Sequence, residues 1–169
     1  MLKGKMNHKD TLGYSTTVEE SGVQIMSSGQ GLRHEEYNIG EGDVNFLQVW
    51  IQPKQQNIIP RYQQRNFSLS NNKNKLTTIV SGEEGLEHCW INQNAKLSLS
   101  KFDKFEAVTY HFNPINKCLF IFIITGSVTI GENTLVSRDA IGIWDTGSIN
   151  IDCTEETSFL IIETPVNQK

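Results

Sequence analysis

Apolar and polar positions alternate with a period of two over much of the chain, and helical spacing is hard to find. Ser127-Val128-Thr129-Ile130 alternates polar with apolar, Gly131-Glu132-Asn133 supplies turn chemistry, and Thr134-Leu135-Val136 resumes the alternation. This pattern predicts a β-hairpin. Phe46-Leu47-Gln48-Val49-Trp50-Ile51 and Phe159-Leu160-Ile161-Ile162 are short runs rich in aromatic and β-branched residues, the composition of buried strands. Gly13, Gly22, Ser28-Gly29, Gly40, Gly42-Asp43, Gly82, Gly126 and Gly147 punctuate the chain at short intervals. Short strands between frequent turns predict an all-β barrel or sandwich.

The pattern also repeats. Lys3-Gly4-Lys5-Met6 leads to Gly22-Val23-Gln24-Ile25-Met26-Ser27-Ser28-Gly29 and ends at Trp50-Ile51-Gln52-Pro53. Thr125-Gly126-Ser127-Val128 leads in the same way to Ala140-Ile141-Gly142-Ile143-Trp144-Asp145-Thr146-Gly147 and ends at Glu163-Thr164-Pro165. Gly29 matches Gly147 and Ile25 matches Ile143, so two copies of one β unit are expected. Residues 97–125 can supply opening strands to the second copy, whereas only three residues precede Gly4. The first copy therefore begins in the middle of a barrel. Division at residues 1–66 and 67–169 is expected, with the polar stretch Ser68 to Lys75 as the most mobile connection.

Composition narrows the function classes. A chain of 169 residues with 37% hydrophobic residues can bury a core. The net charge of −4 comes with scattered Lys and Arg, which argues against direct binding of nucleic acid. The longest apolar run, Cys118 to Ile124, is too short to span a bilayer, and Met1-Leu2-Lys3-Gly4-Lys5 lacks the apolar stretch of a signal peptide. Cys89, Cys118 and Cys153 form no C-x-x-C pair. Buried, reduced thiols and a cytoplasmic location are expected.

The sharpest local signal is Gly29-Gln30-Gly31-Leu32-Arg33-His34-Glu35-Glu36-Tyr37-Asn38. On an extended strand His34 and Glu36 share one face and Glu35 takes the other. Imidazole and carboxylate together suit a divalent ion such as Fe(II), Mn(II), Ni(II) or Zn(II), although H-x-E after a turn is also a common solvated pattern.

Gly31-x2-His34-x3-Asn38 resembles the second conserved motif of cupins, with Gly29 where many cupins carry proline. The run from Ile25 to Asn38 resembles the pirin family in particular. So do Leu47-Gln48-Val49-Trp50-Ile51-x-Pro53, Pro60-Arg61-Tyr62-Gln63-Gln64 and Ala140-Ile141-Gly142-Ile143-Trp144-Asp145. The resemblance implies a bicupin: two antiparallel cupin β-barrels, the N-terminal one incomplete here. It further implies one metal in the N-terminal barrel, usually iron (with Zn, Ni, Mn or Cu as other occupants), held by three histidines and one glutamate. Two of these ligands map onto His34 and Glu36. The other two belong to an H-x-H upstream of a glycine that corresponds to Gly4, and no such pair is present in this sequence. His8 follows Gly4 where pirins tend to carry a histidine outside the metal shell, and is read as a polar barrel residue.

Other residues receive structural readings. His88 and His111 stand apart from any carboxylate at ligand spacing. In the repeat register the counterparts of His34 and Glu36 are Asp152 and Thr154, so no metal set is expected in the C-terminal barrel. Phe120, Phe122, Ile141 and Ile143 are expected to fill that barrel. Trp50, Trp90 and Trp144 are expected in the core, Arg61 in a salt bridge, and Cys118 on a buried strand without nucleophilic character.

Three functions follow from the resemblance. One is a quercetin 2,3-dioxygenase-type enzyme acting on a flavonol-like small molecule, with His34 on the metal and Glu36 taking the substrate proton. The second is a metal-dependent partner of another protein, and the third a metal-free bicupin. With two protein ligands in place of four, weak metal binding and little flavonol turnover are expected. The missing opening strands leave an exposed barrel edge, so homodimerisation near residues 1–20 is also expected.

Overall fold

The structure, a computed structural model, describes residues 1–68 and 72–166. Residues 69–71 of the expected Ser68 to Lys75 connection lie outside it. The described chain has no helix and forms two compact units, the first made of Met1–Ser68 with Glu83–Gln93, the second of the segment up to Gly82 and the chain from Asn94 onward.

In the first unit, β1 (Lys5–Asp10) lies between β2 (Ser15–Glu19) and β4 (His34–Asn38), both antiparallel to it. β3 (Gly22–Ser27) pairs with β5 (Arg61–Asn66), and the short β7 (Cys89–Trp90) belongs to the same unit. Alternation decides the faces of this sheet: Met6, His8, Asp10 and Val18 are buried, while the intervening Lys5, Lys9, Ser15 and Thr17 are not. Within residues 1–20 the edge strand of this sheet is β2, not β1. β1 is paired on both sides, and side chains of Gln64 and Asn66 reach the β2 carbonyls of Thr17 and the adjoining Glu20. Among the described residues the outer sides of both β2 and β4 lack a partner strand in this sheet.

In the second unit, β13 (Ala140–Trp144), β10 (Cys118–Thr125), β15 (Thr157–Thr164), β8 (Lys96–Phe102) and β6 (Lys75–Ser81) follow one another in a sheet. A second sheet runs β12 (Asn133–Val136), β11 (Ser127–Ile130), β14 (Ser148–Cys153), β9 (Ala107–His111). The expected hairpin is β11–β12, closed through Gly131 at φ +59°. The core between these sheets contains Phe102, Tyr110, Leu119, Ile121, Ile123, Val128, Ile130, Ile151, Phe159 and Ile161. Burial of such side chains contributes about 1.5–3 kcal/mol each, so the barrel is stabilised by apolar packing. Phe120 and Phe122 correct the expectation, because alternation along β10 turns Leu119, Ile121 and Ile123 inward and leaves Phe120 41% exposed. Ile141 and Ile143 do pack against the core.

The repeat appears in the backbone itself. Gly4 and Gly126 have φ of +83° and +84°, a left-handed conformation that side chains disfavour. The order β2-β1-β4 recurs as β12-β11-β14. Phe46–Ile51, read as a buried strand, forms no strand, and Trp50 is 89% exposed. Its counterpart in the repeat is β15, which lies between β10 and β8. Among the described residues this apolar run with strand composition pairs with no strand. Trp144 is also exposed, and Trp90 is half-buried with the Arg61 guanidinium 4.5 Å over its ring, a cation–π contact in place of the expected salt bridge.

Candidate metal centre

The antiparallel register of β1 and β4 sets His8 opposite Glu36 and Asp10 opposite His34. Side chains two apart on a strand share a face, and directly paired residues across an antiparallel pair do too. His8, Asp10, His34 and Glu36 therefore converge on the inner face. Glu35 takes the other face, where its carboxylate lies 3.6 Å from Lys9.

One ligand atom from each of His8, His34 and Glu36 lies within 4.8 Å of the others. His8 is fully buried; the His34 side chain is 31% exposed and that of Glu36 18%. The His8 ring is held on two sides. Its Nε2 lies 2.9 Å from Asp10 Oδ2, and Tyr62 stacks on it at a centroid distance of 4.7 Å, with Tyr14 stacked in turn on Tyr62. Burial pushes the Asp10 carboxyl up, but hydrogen bonds from His8 and from the amides of Tyr14 and Leu12 outweigh it and hold the group below the ordinary carboxylate value. The Asp10 carboxylate accepts this hydrogen bond, so His8 Nε2 is the donor and Nδ1 is the ring nitrogen turned toward Glu36. That Nδ1 is buried, makes no hydrogen bond, and stands 3.5 Å from Glu36 Oε1.

Glu36 is oriented by neighbours from the other strands. Gln24 Nε2 donates to Glu36 Oε1, and Tyr62 Oη donates to Gln24 Oε1 at 3.1 Å. Tyr62 Oη also lies 2.7 Å from Thr16 Oγ1, and burial raises its pKa above that of a free phenol. His34 Nδ1 stands 3.9 Å from Glu36 Oε1.

His34 and Glu36, singled out in the sequence, are thus brought together. His8, set aside as a polar barrel residue, lies with them. The signal for it was present in His8-x-Asp10, a second pair of polar groups two apart, but only the β1–β4 register shows that both pairs share a face. His88 Nε2 donates to the Glu83 carbonyl and His111 is exposed on β9, and neither belongs to this cluster.

The corresponding positions of the second barrel differ from those expected. Asp152 and Thr154 are exposed. With Gly4 equated to Gly126, Met6 corresponds to Val128, whose partner on β14 is Cys153, as Asn38 is the partner of Met6. Continuing that register, Ile130, Ile149 and Ile151 occupy the places of His8, His34 and Glu36. The C-terminal barrel carries three apolar side chains where the N-terminal barrel carries three ligand-type groups.

Two β-barrels built from one repeated unit, one of them lined by imidazole and carboxylate groups, define a bicupin. Comparison with known proteins agrees. The family model for the quercetinase C-terminal cupin domain matches residues 78–164, the pirin family model matches residues 1–51, and the chain belongs to the pirin family. A quercetin 2,3-dioxygenase of Escherichia coli (strain K12) is 29% identical over 166 residues, which is 98% of this chain and 70% of that protein. The crystal structure of YhhW from Escherichia coli superposes with a TM-score of 0.88 at 27% identity, covering 99% of this chain and 71% of that one. The bacterial pirin YhhW in complex with nickel(II) gives a TM-score of 0.86 at 27% identity, over 97% and 69% of the respective chains.

Proposed function

We propose that this chain is a divalent-metal-binding, quercetinase-like pirin whose N-terminal barrel holds one ion through His34 and Glu36. The observation that carries this reading is the inward convergence of imidazole and carboxylate donors around a buried, unpartnered imidazole nitrogen, His8 Nδ1. A buried polar atom without a partner is costly, and a cation among these groups would remove that cost. The nickel(II) complex of YhhW supports a divalent ion, and iron is the family expectation.

When bound, such an ion polarises a flavonol oxygen as a Lewis acid. The remaining roles fall to the chain's own groups. Glu36, oriented by Gln24, accepts the proton of the flavonol hydroxyl. The Tyr62–Gln24 hydrogen bond keeps the carboxylate from rotating away. Turnover is expected to be poor, because the outer edge of β4 has no covering strand among the described residues and a substrate there is neither enclosed nor oriented. Free Cys89, Cys118 and Cys153 support a cytoplasmic setting.

The test is anaerobic loading with Fe(II), followed by measurement of bound iron and of flavonol oxidation. Bound iron that is lost in His34→Ala, with slow or undetectable oxidation, is the expected result. Absence of bound iron, or rapid turnover that survives His34→Ala, contradicts the proposal.

A further inference from the structure

We propose that His8 is itself a ligand, its Nδ1 completing a His8–His34–Glu36 triad on one face of β1 and β4, with Asp10 as the residue that positions it. The inference rests on the metal-binding reading above and goes further by assigning a third protein ligand that does not belong to the family's ligand set.

Three observations carry it. First, His8 Nδ1 is buried and has no hydrogen-bond partner, although the rest of the ring is fixed by Asp10 on one side and Tyr62 on its face. An imidazole so restrained cannot turn this nitrogen elsewhere. Second, that nitrogen faces Glu36 Oε1 at 3.5 Å. An imidazole nitrogen and a carboxylate oxygen facing each other across this gap are the two donor types that a divalent ion takes together. Two donors bound to one ion at about 2.1 Å and at angles of roughly 90–110° stand about 3–3.5 Å apart. The His8–Glu36 separation already lies at that spacing. His34, 3.9 Å from the same oxygen and partly exposed, has room to close the remainder by side-chain rotation. Third, Asp10 is placed as an orienting group. A metal-ligating histidine commonly gives its other ring N–H to a carboxylate, which fixes tautomer and ring orientation, and Asp10 receives that N–H at 2.9 Å while its other oxygen accepts two backbone amides.

His34 and Glu36 alone, two apart on β4, offer neighbouring corners of a coordination sphere. His8 adds a corner from the paired strand β1, giving two histidines and one carboxylate with positions left open, an arrangement suited to non-haem Fe(II) and also to Co(II) or Ni(II).

The experiment is Co(II) titration of the intact protein, followed by the visible absorption of the bound ion, with wild type, His34→Ala, His8→Gln and Asp10→Asn compared. Wild type is expected to bind one Co(II). His8→Gln is expected to weaken binding by more than about 100-fold and Asp10→Asn by about 10–100-fold, the range found for outer-shell partners. A loss of tenfold or more in folded His8→Gln supports the assignment; binding within tenfold of wild type, with His34→Ala deficient, overturns it and leaves the metal site standing. No Co(II) binding by wild type overturns both readings. Because His8 is buried and its substitution can disturb folding, proton NMR of Co(II)-loaded wild type supplies a measurement free of variants. A hyperfine-shifted, slowly exchanging N–H from the imidazole held by Asp10 is expected. Its absence from a fully loaded sample overturns the assignment.

Discussion

Glu163 is the most completely buried acid in the second barrel, at 1% exposure, and it is held by donors on every side. Tyr110 Oη donates to one oxygen; the Asn113 amide and Asn116 Nδ2 donate to the other. Burial, then the hydrogen bond to Glu163, pushes the Tyr110 phenol far above its ordinary value, so the hydroxyl stays a donor throughout the accessible pH range. A satisfied buried carboxylate contributes chiefly by what its removal exposes. Glu163→Gln keeps the shape but turns one acceptor oxygen into a donor facing donors. The expected loss is about 1.5–3 kcal/mol, the range of a charged hydrogen bond, read as a lowered urea midpoint with unchanged slope; an unchanged midpoint contradicts this account. The same logic separates Glu163 from the His8 cluster. In the first case every polar atom of the side chain is answered, and in the second one ring nitrogen is not.

Among the elements, the left-handed glycine before each first hairpin strand is what allows the repeat to be built twice. A Cβ on Gly126 would stand 2.3 Å from the Glu156 carbonyl oxygen and 2.8 Å from Thr157 Cα, in addition to the positive φ. Gly126→Ala is therefore expected to cost about 1–3 kcal/mol from backbone strain alone, seen as a fall in the thermal midpoint; Gly131→Ala, where nothing lies within 4 Å, should cost less. Equal effects at the two sites would show that contact with Glu156 is immaterial. Strands of the second barrel were legible in the sequence because each apolar run there meets a partner. Phe159-Leu160-Ile161-Ile162 reads as buried and is buried, between β8 and β10. Phe46–Ile51 reads the same way and is no strand, since pairing is a property of two segments and composition reports on only one. The face of Phe120 was misjudged for a related reason: a run apolar at every position, such as Cys118 to Ile124, does not say which alternate side chains turn inward. His34 and Glu36 were legible from their spacing on one strand. His8 required the cross-strand register, which no local pattern encodes.

Across the whole molecule the two barrels are one β unit used for two purposes. Ile130, Ile149 and Ile151 extend the apolar core in the second, and His8, His34 and Glu36 gather polar donors in the first. The chain covers about 70% of the length of the relatives it matches, and its metal site is argued entirely from residues on β1 and β4, with support from β2, β3 and β5. Anomalous diffraction from crystals grown with Ni(II) tests that claim most directly. The account expects one peak per chain in the N-terminal barrel, about 2.0–2.3 Å from a nitrogen of His34 and an oxygen of Glu36, with His8 Nδ1 as the third protein donor and no peak among the three isoleucines. A peak inside the C-terminal barrel, or none between His34 and Glu36 in metal-saturated crystals, would contradict it.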